Sequence, residues 1–185
     1  VFDEVYDQFV ESFVAKMKAL KMGDPMDESV QVGPLATAGG KRDIVELVED
    51  AKAKGARILC GGETPEGPGY YYPATVIDQL TDDMRLVMEE AFGPVATIYR
   101  VKDREEAIKV ANQTTFGLSS AIWSEDEEEQ NYFVEHLQAG AVFVNGMTIS
   151  YPELAFGGIK DSGFGRELSD AGIKEFCNLK TVWKA

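Results

Sequence analysis

In the first twenty residues the apolar positions Val5, Tyr6, Phe9, Val10, Phe13, Val14, Met17 and Leu20 recur at steps of three and four. That period predicts an amphipathic helix, with Asp3 as its N-cap. Gly23-Asp24-Pro25 breaks it, and a loop through Gly33-Pro34 and Gly39-Gly40 leads to a second helical pattern carrying Ile44, Val45, Leu47, Val48 and Ala51, closed by Gly55. Residues 57–60 are short, apolar and bounded by a glycine-rich turn, so they read as a strand, and the β-branched and aromatic residues 71–77 as another. A short helix near residues 84–88 precedes an apolar strand over 95–101. Helix over 103–111, strand over 118–123, helix over 125–137 and strand over 141–144 then alternate. Strand and helix exchanged at such short intervals predict an α/β fold: an open, mostly parallel sheet with helices on both faces.

The last third breaks the alternation. Residues 146–165 read as a loop in which Gly146, Gly157, Gly158, Gly163 and Gly165 free the backbone, followed by a helix near 167–176 and a strand candidate over 180–183. A loop of that length is more often functional than idle.

Charge and composition narrow the chemistry. Lysine and arginine total 18 against 32 acidic residues in 185, a net charge of −14, which repels a polyanion and argues against nucleic acid and anionic membrane as partners. No apolar run approaches the roughly 20 residues of a membrane span. Cys60 and Cys177 are too few for a disulfide framework or a cysteine zinc site, so a reducing cytoplasm is expected and no metal. His136, the single histidine, reads as an ordinary helix residue, and the run Glu125-Asp126-Glu127-Glu128-Glu129 as a solvated helix N-terminus. The chain opens at Val1 rather than methionine, which predicts a piece of a longer polypeptide.

Three segments carry more than scaffold. In Glu89-Glu90-Ala91-Phe92-Gly93-Pro94, a carboxylate before a buried strand can accept hydrogen bonds from ribose hydroxyls, with an aromatic to confine a flat ring; a helix end followed by a turn explains the same residues. Phe156-Gly157-Gly158-Ile159-Lys160-Asp161-Ser162-Gly163-Phe164-Gly165-Arg166-Glu167 has four glycines but not the dinucleotide spacing. Val144-Asn145-Gly146-Met147-Thr148-Ile149-Ser150 is a strand end entering that loop, where α/β sheets place ligand-binding groups.

In this order the segments resemble the C-terminal portion of the aldehyde dehydrogenase superfamily. The likeness extends through Tyr6-Asp7-Gln8-Phe9, Gly33-Pro34-Leu35, Pro73-Ala74-Thr75-Val76, Ala111-Asn112-Gln113-Thr114, Phe116-Gly117-Leu118 and Lys180-Thr181-Val182. The resemblance implies a catalytic-domain part over residues 1–178 and an oligomerisation strand over 179–185 that makes the full enzyme a homo-oligomer. It implies NAD or NADP as cofactor, with Glu90 on the nicotinamide-side ribose and Phe92 beside the nicotinamide. Phe156 would line the aldehyde tunnel, Ser150 would lie near a substrate carboxylate, and Glu167 would join the proton path of the general base.

Asn145 is expected to fix the loop through side-chain hydrogen bonds, and Lys160 and Arg166 to be structural. The nucleophilic cysteine, the general base and the cofactor domain would lie before Val1, so the chain alone is expected to be inactive. The segments Asn145–Ser150 and Ala155–Gly158 favour succinate semialdehyde as substrate. A broad-specificity aldehyde enzyme and a non-catalytic interaction module are the alternatives.

Overall fold

In the computed structural model, which describes residues 1–185, the chain divides into two units, Val1–Asp103 and Arg104–Ala185. In the first, helix α1 spans Asp3–Ala19 and its N-cap is Phe2, not Asp3 as the sequence suggested. Phe2 is held in a parallel bridge with Val101, and the Asp3 N–H donates to the Val101 carbonyl at 2.8 Å, so the helix starts one residue earlier, at Asp3 itself. Helix α2, Ala38–Ala53, takes in Gly39 and Gly40, which the sequence assigned to a loop. Thr37 Oγ1 accepts the Gly40 N–H at 3.0 Å and carries the helix across them.

Between these helices lies a three-stranded sheet of β1 (Arg57–Cys60), β2 (Thr75–Asp78) and β3 (Val95–Ile98), in that order. β1 runs antiparallel to β2 and β2 parallel to β3, with Thr75 opposite Val95 and Asp78 opposite Ile98. β2 is central and wholly buried, and the period of two along it divides the core. Val76 joins Tyr6, Cys60 and Ile98 under α1, whereas Ile77 joins Ile44, Leu47, Val48 and Ala51 of α2, with Tyr72 and Met84. Helix α3, Arg85–Met88, closes that second cluster through Leu86 and Val87.

The same alternation that sends Val76 toward α1 sends Asp78 there too, and its side chain is 1% exposed. A carboxylate so buried needs partners. Tyr6 Oη donates to Oδ2 at 2.8 Å, and Arg57 donates from Nε to Oδ1 at 2.9 Å and from Nη2 to Oδ2 at 2.5 Å. Arg100 lies 4.0 Å from the centre of the Tyr6 ring and pairs with Asp3 and Asp7. One network thus joins α1, β1 and β2.

The second unit holds α4 (Arg104–Asn112), β4 (Phe116–Gly117), β5 (Ser119–Ile122), α5 (Glu127–His136), β6 (Ala141–Val144), β7 (Ile159–Lys160) and α6 (Ser169–Glu175). β5, α5 and β6 form a parallel β-α-β unit with Ser119 opposite Ala141 and Ile122 opposite Val144; β4 and β7 pair antiparallel. Asp126 Oδ1 caps α5 by accepting the Glu128 and Glu129 N–H groups, so the acidic run is a helix start. His136 ends that helix, stacked on Tyr132. Asn112 ties α4 to the end of α5, donating to the His136 carbonyl at 2.9 Å and accepting the Gln138 N–H at 2.8 Å.

The expected α/β architecture is thus found with a mixed strand pattern: two strand pairings are parallel and two antiparallel. Residues 180–183 form no strand. A strand needs a ladder partner, the chain offers this segment none, and Trp183 stands 83% exposed. No helix is long and apolar enough to cross a membrane.

Burial pushes the Asp78 carboxyl up, but the hydrogen bonds from Arg57 and Tyr6 outweigh it and hold the group below its ordinary value. Its stabilisation is therefore fully present above a pH of about 4 and is lost as pH falls through the depressed folded value. Asp78→Ala is expected to lower unfolding stability by about 3 kcal/mol at pH 7. Urea denaturation of both proteins should show that gap closing as the pH is taken well below 4; a gap independent of pH would refute the ionised network.

Candidate functional site

Helix α3 decides which of the two adjacent carboxylates is available. Arg85 stands four residues before Glu89 and donates from Nε at 2.7 Å and Nη2 at 2.8 Å, a two-point pairing across one helical turn. Those hydrogen bonds hold the Glu89 carboxyl below the usual range. The Arg85 N–H is in turn accepted by Asp50 Oδ2 at 2.9 Å, which anchors the arginine's backbone to α2. Glu89 is committed to Arg85, while Glu90 is exposed and its carboxylate has no partner in the chain.

Two consecutive three-residue turns follow. The Gly93 N–H donates to the Ala91 carbonyl at 2.9 Å and the Val95 N–H to the Gly93 carbonyl at 2.8 Å. Phe92 sits at the centre of the first and stands 75% exposed, although large apolar side chains ordinarily withdraw from water. An open carboxylate and an open aromatic face two residues apart fit a nucleoside: the oxygens can accept from both hydroxyls of a ribose, and the ring can cover a flat heterocycle.

In the second unit the loop after β6 is fixed at its entry by Asn145, as the sequence implied. Asn145 adopts φ 52°, accepts the Ser124 N–H at Oδ1 (3.0 Å) and donates from Nδ2 to the Ser124 carbonyl (2.9 Å). Beyond it, Ser150 and Phe156 line one cavity of about 380 Å³, with Val142, Val144, Ile149 and Leu154 among its apolar walls. The side-chain hydroxyls of Ser150 and Tyr151 are the only polar side-chain groups in that lining, and no cation is among them.

Phe156 and Glu167 face each other in an antiparallel bridge: the Phe156 N–H donates to the Glu167 carbonyl at 2.8 Å, and the Glu167 N–H returns to the Phe156 carbonyl at 2.7 Å. The two also border a common cleft with Arg166 and Phe176. Ser150, Phe156 and Glu167 are thus gathered in one unit, and Glu90 and Phe92 in one loop of the other.

The two cations of this loop are used on backbone carbonyls, as expected. Arg166 Nη1 donates to Gly158 at 3.0 Å and Gly165 at 2.6 Å, and Lys160 Nζ to Asn112 and Thr114 at 3.0 Å each. Of the cysteines, Cys60 is buried with Sγ toward the Ala74 carbonyl, and Cys177 is exposed just beyond α6. No cluster of histidine, cysteine and carboxylate side chains is placed to hold a metal ion.

Sequence reasoning missed three contributors. Arg85 was readable, because four-residue spacing to Glu89 on a helix pairs opposite charges. Tyr151 adjoins Ser150 but gave no signal of its own. Gly140 matters through a contact distant in sequence: a Cβ there would lie 1.8 Å from the Gly157 carbonyl oxygen, so its hydrogen side is what lets the loop seat.

Comparison with known proteins gives a consistent result. The aldehyde dehydrogenase family model matches residues 1–182. Over 180 residues the chain is 58% identical to succinate-semialdehyde dehydrogenase [NADP(+)] 1 of Mycobacterium ulcerans, covering 97% of this chain and 39% of that protein. It superposes with a TM-score of 0.94, at 40% identity, on the crystal structure of succinic semialdehyde dehydrogenase from Streptococcus pyogenes in complex with NADP+, covering all of this chain and 40% of that one. Betaine aldehyde dehydrogenase from Staphylococcus aureus in complex with NAD+ gives a TM-score of 0.90 at 32% identity, over 95% of this chain and 36% of that one. The chain therefore spans about 40% of the length of the relatives it matches.

Gly140→Ala is expected to destabilise the protein by about 3 kcal/mol, because the new methyl meets backbone rather than a yielding side chain. Gly146→Ala, whose nearest neighbour would be 3.8 Å away, should change stability by less than about 0.5 kcal/mol. Urea titrations of the two variants check this, and equal effects would contradict the contact.

Proposed function

The chain belongs to the aldehyde dehydrogenase family, and on that footing we propose that it is the C-terminal part of an NADP-dependent enzyme oxidising succinate semialdehyde to succinate. The observation that carries the substrate reading is the cavity holding Ser150 and Phe156: apolar along its length, with hydroxyl donors at Ser150 and Tyr151. That pattern suits a short aliphatic aldehyde with a polar far end. The names of its relatives favour NADP over NAD and succinate semialdehyde over other aldehydes. Family membership alone decides neither, since a betaine aldehyde enzyme that binds NAD+ shares the fold.

In this reading both units are parts of one catalytic domain. Glu90, left free while Arg85 engages Glu89, accepts hydrogen bonds from the ribose hydroxyls of the cofactor. Phe92 packs beside the nicotinamide and keeps its face from water. When bound, NADP+ supplies the acceptor for the hydride that leaves the aldehyde carbon. Ser150 donates to the substrate carboxylate and Phe156 forms an apolar wall of the tunnel. Glu167 serves as a proton relay for the base that activates water, the water oxygen ending in the new carboxylate and its proton passing to solvent.

In this reading the nucleophilic thiolate and the general base lie outside residues 1–185, in the remaining portion of the full-length enzyme. Cys60, buried against Ala74, and Cys177, beyond the α6 helix, are not assigned to either role. Because the cavity lining holds no cation, the charge of the substrate carboxylate is to be balanced by basic groups from that same portion. The cysteine usage favours a reducing, cytoplasmic setting. The exposed tail at Val182 and Trp183 suits pairing within a homo-oligomer.

The direct test follows NADPH absorbance with succinate semialdehyde. The full-length enzyme carrying this chain should turn over, and residues 1–185 alone should not; turnover by the isolated chain would overturn the reading. Ser150→Ala should raise KM for succinate semialdehyde about tenfold while leaving that for butanal within about twofold. Glu90→Gln should raise KM for NADP+ about tenfold, whereas Glu89→Gln should change it by less than about twofold. The opposite order for the two carboxylates would assign the ribose to Glu89 and refute the role given to Arg85.

A further inference from the structure

The corner that follows Glu167 is strained. Leu168 has φ 60° and ψ 171°, and Ser169 has φ 53°, so two successive residues with side chains occupy a region that ordinarily favours glycine. For a residue as bulky as leucine, such a conformation persists only where the surroundings over-determine it. Those surroundings are visible. On one side the Glu167 backbone is locked into its two-bond bridge with Phe156. On the other, α6 brings Gly172 so close that a Cβ there would lie 2.6 Å from the Glu167 carbonyl carbon and 2.9 Å from its Cα. The Gly172 N–H donates to the Leu168 carbonyl at 2.8 Å, and Ser169 Oγ accepts the Ala171 N–H at 3.2 Å, closing the first turn of α6 directly on the corner.

A third bond extends the clamp. The Ser169 N–H donates to the Pro152 carbonyl at 3.0 Å, two residues beyond Ser150 in the loop that lines the cavity. The same corner therefore touches the backbone of all three segments that carry Ser150, Phe156 and Glu167. A left-handed turn made of glycine would be easier to form and would also move. Leucine and serine make it costly to form and confine it once the bridge, Gly172 and Pro152 are in place.

We propose that Leu168, Ser169 and Gly172 are positioning residues, a strained backbone corner clamped by α6 that fixes the Glu167 carboxylate relative to the substrate loop. The proposal rests on the proton-relay role given to Glu167 above, and it adds where the precision of that role comes from. A relay must hold its carboxylate within hydrogen-bond reach of its partners, and a displacement on the order of 1 Å is enough to lower the rate severely.

The test is made in the full-length enzyme with succinate semialdehyde and NADP+. Leu168→Gly relieves the strain, so its melting temperature should equal or exceed that of the parent, while kcat falls about tenfold. Leu168→Ala keeps a Cβ and with it the backbone restriction, and should lose far less activity than Leu168→Gly. Glu167→Gln should lose kcat and change the pH profile. Adding Leu168→Gly to it should cost nothing further, because a misplaced relay and an absent relay fail in the same way. Gly172→Ala should reproduce the loss of kcat together with a fall in melting temperature.

Parent-like kcat in Leu168→Gly beside a crippled Glu167→Gln overturns the positioning proposal and leaves the relay standing. Full additivity in the double variant overturns it as well. Parent-like kcat and pH profile in Glu167→Gln overturns the relay itself, and the proposal with it.

Discussion

The two hydrogen bonds between Phe156 and Glu167 organise everything that can be called a site in the second unit. They close a twelve-residue glycine-rich excursion at its base, so that its two ends, one aromatic and one acidic, emerge side by side. The excursion can seat only because glycine meets it on both flanks. Gly140 admits the Gly157 carbonyl, and Gly172 admits the Glu167 backbone, at distances where a methyl group would collide. Lys160 and Arg166 then satisfy four backbone carbonyls of this region and hold its shape. The two cations of the loop are thus spent on its backbone, which leaves Glu167 for the proton relay proposed above.

The first unit reaches a comparable result by a different route. Its central strand is buried on both faces, and Asp78 brings a charge into that interior, where Arg57 balances it and Tyr6 donates a hydrogen bond to it. Burial and Asp78 together push the Tyr6 hydroxyl to about 12, so it remains a donor across the working pH range. On the rim of the same unit, Arg85 performs a selection: by engaging Glu89 it leaves its neighbour open. The difference between two adjacent glutamates is thus set by an arginine one helical turn earlier.

Much of this was legible in the order of residues. The periods of three and four gave α1 and α2, and the apolar runs gave β1, β3, β5 and β6, because burial of one face is written into local sequence. Asn145 was legible as a loop anchor because a short amide after a strand seeks backbone partners. Most of what failed depended on distant contacts. Asp3 was displaced as a cap by the pairing of Phe2 with Val101; the helical start at Gly39-Gly40 is the exception, since it rests on a local cap, Thr37, three residues before Gly40. The antiparallel direction of β1 against β2 could not be read from two apolar runs joined by a long turn. Residues 180–183 have a strand's composition without a partner to make one. The strained corner at Leu168 is equally silent in sequence, since nothing about Leu-Ser announces a positive φ.

In the proposed enzyme this chain supplies a cofactor contact at Glu90 and Phe92 and a substrate wall at Ser150 and Phe156. A crystal structure of the full-length enzyme with NADP+ and succinate tests it most directly. A succinate carboxylate oxygen is expected about 3 Å from Ser150 Oγ, with Phe156 against its methylenes, and ribose hydroxyls donating to Glu90 while Glu89 stays on Arg85. Succinate bound away from Ser150, or a ribose held by Glu89, would contradict it.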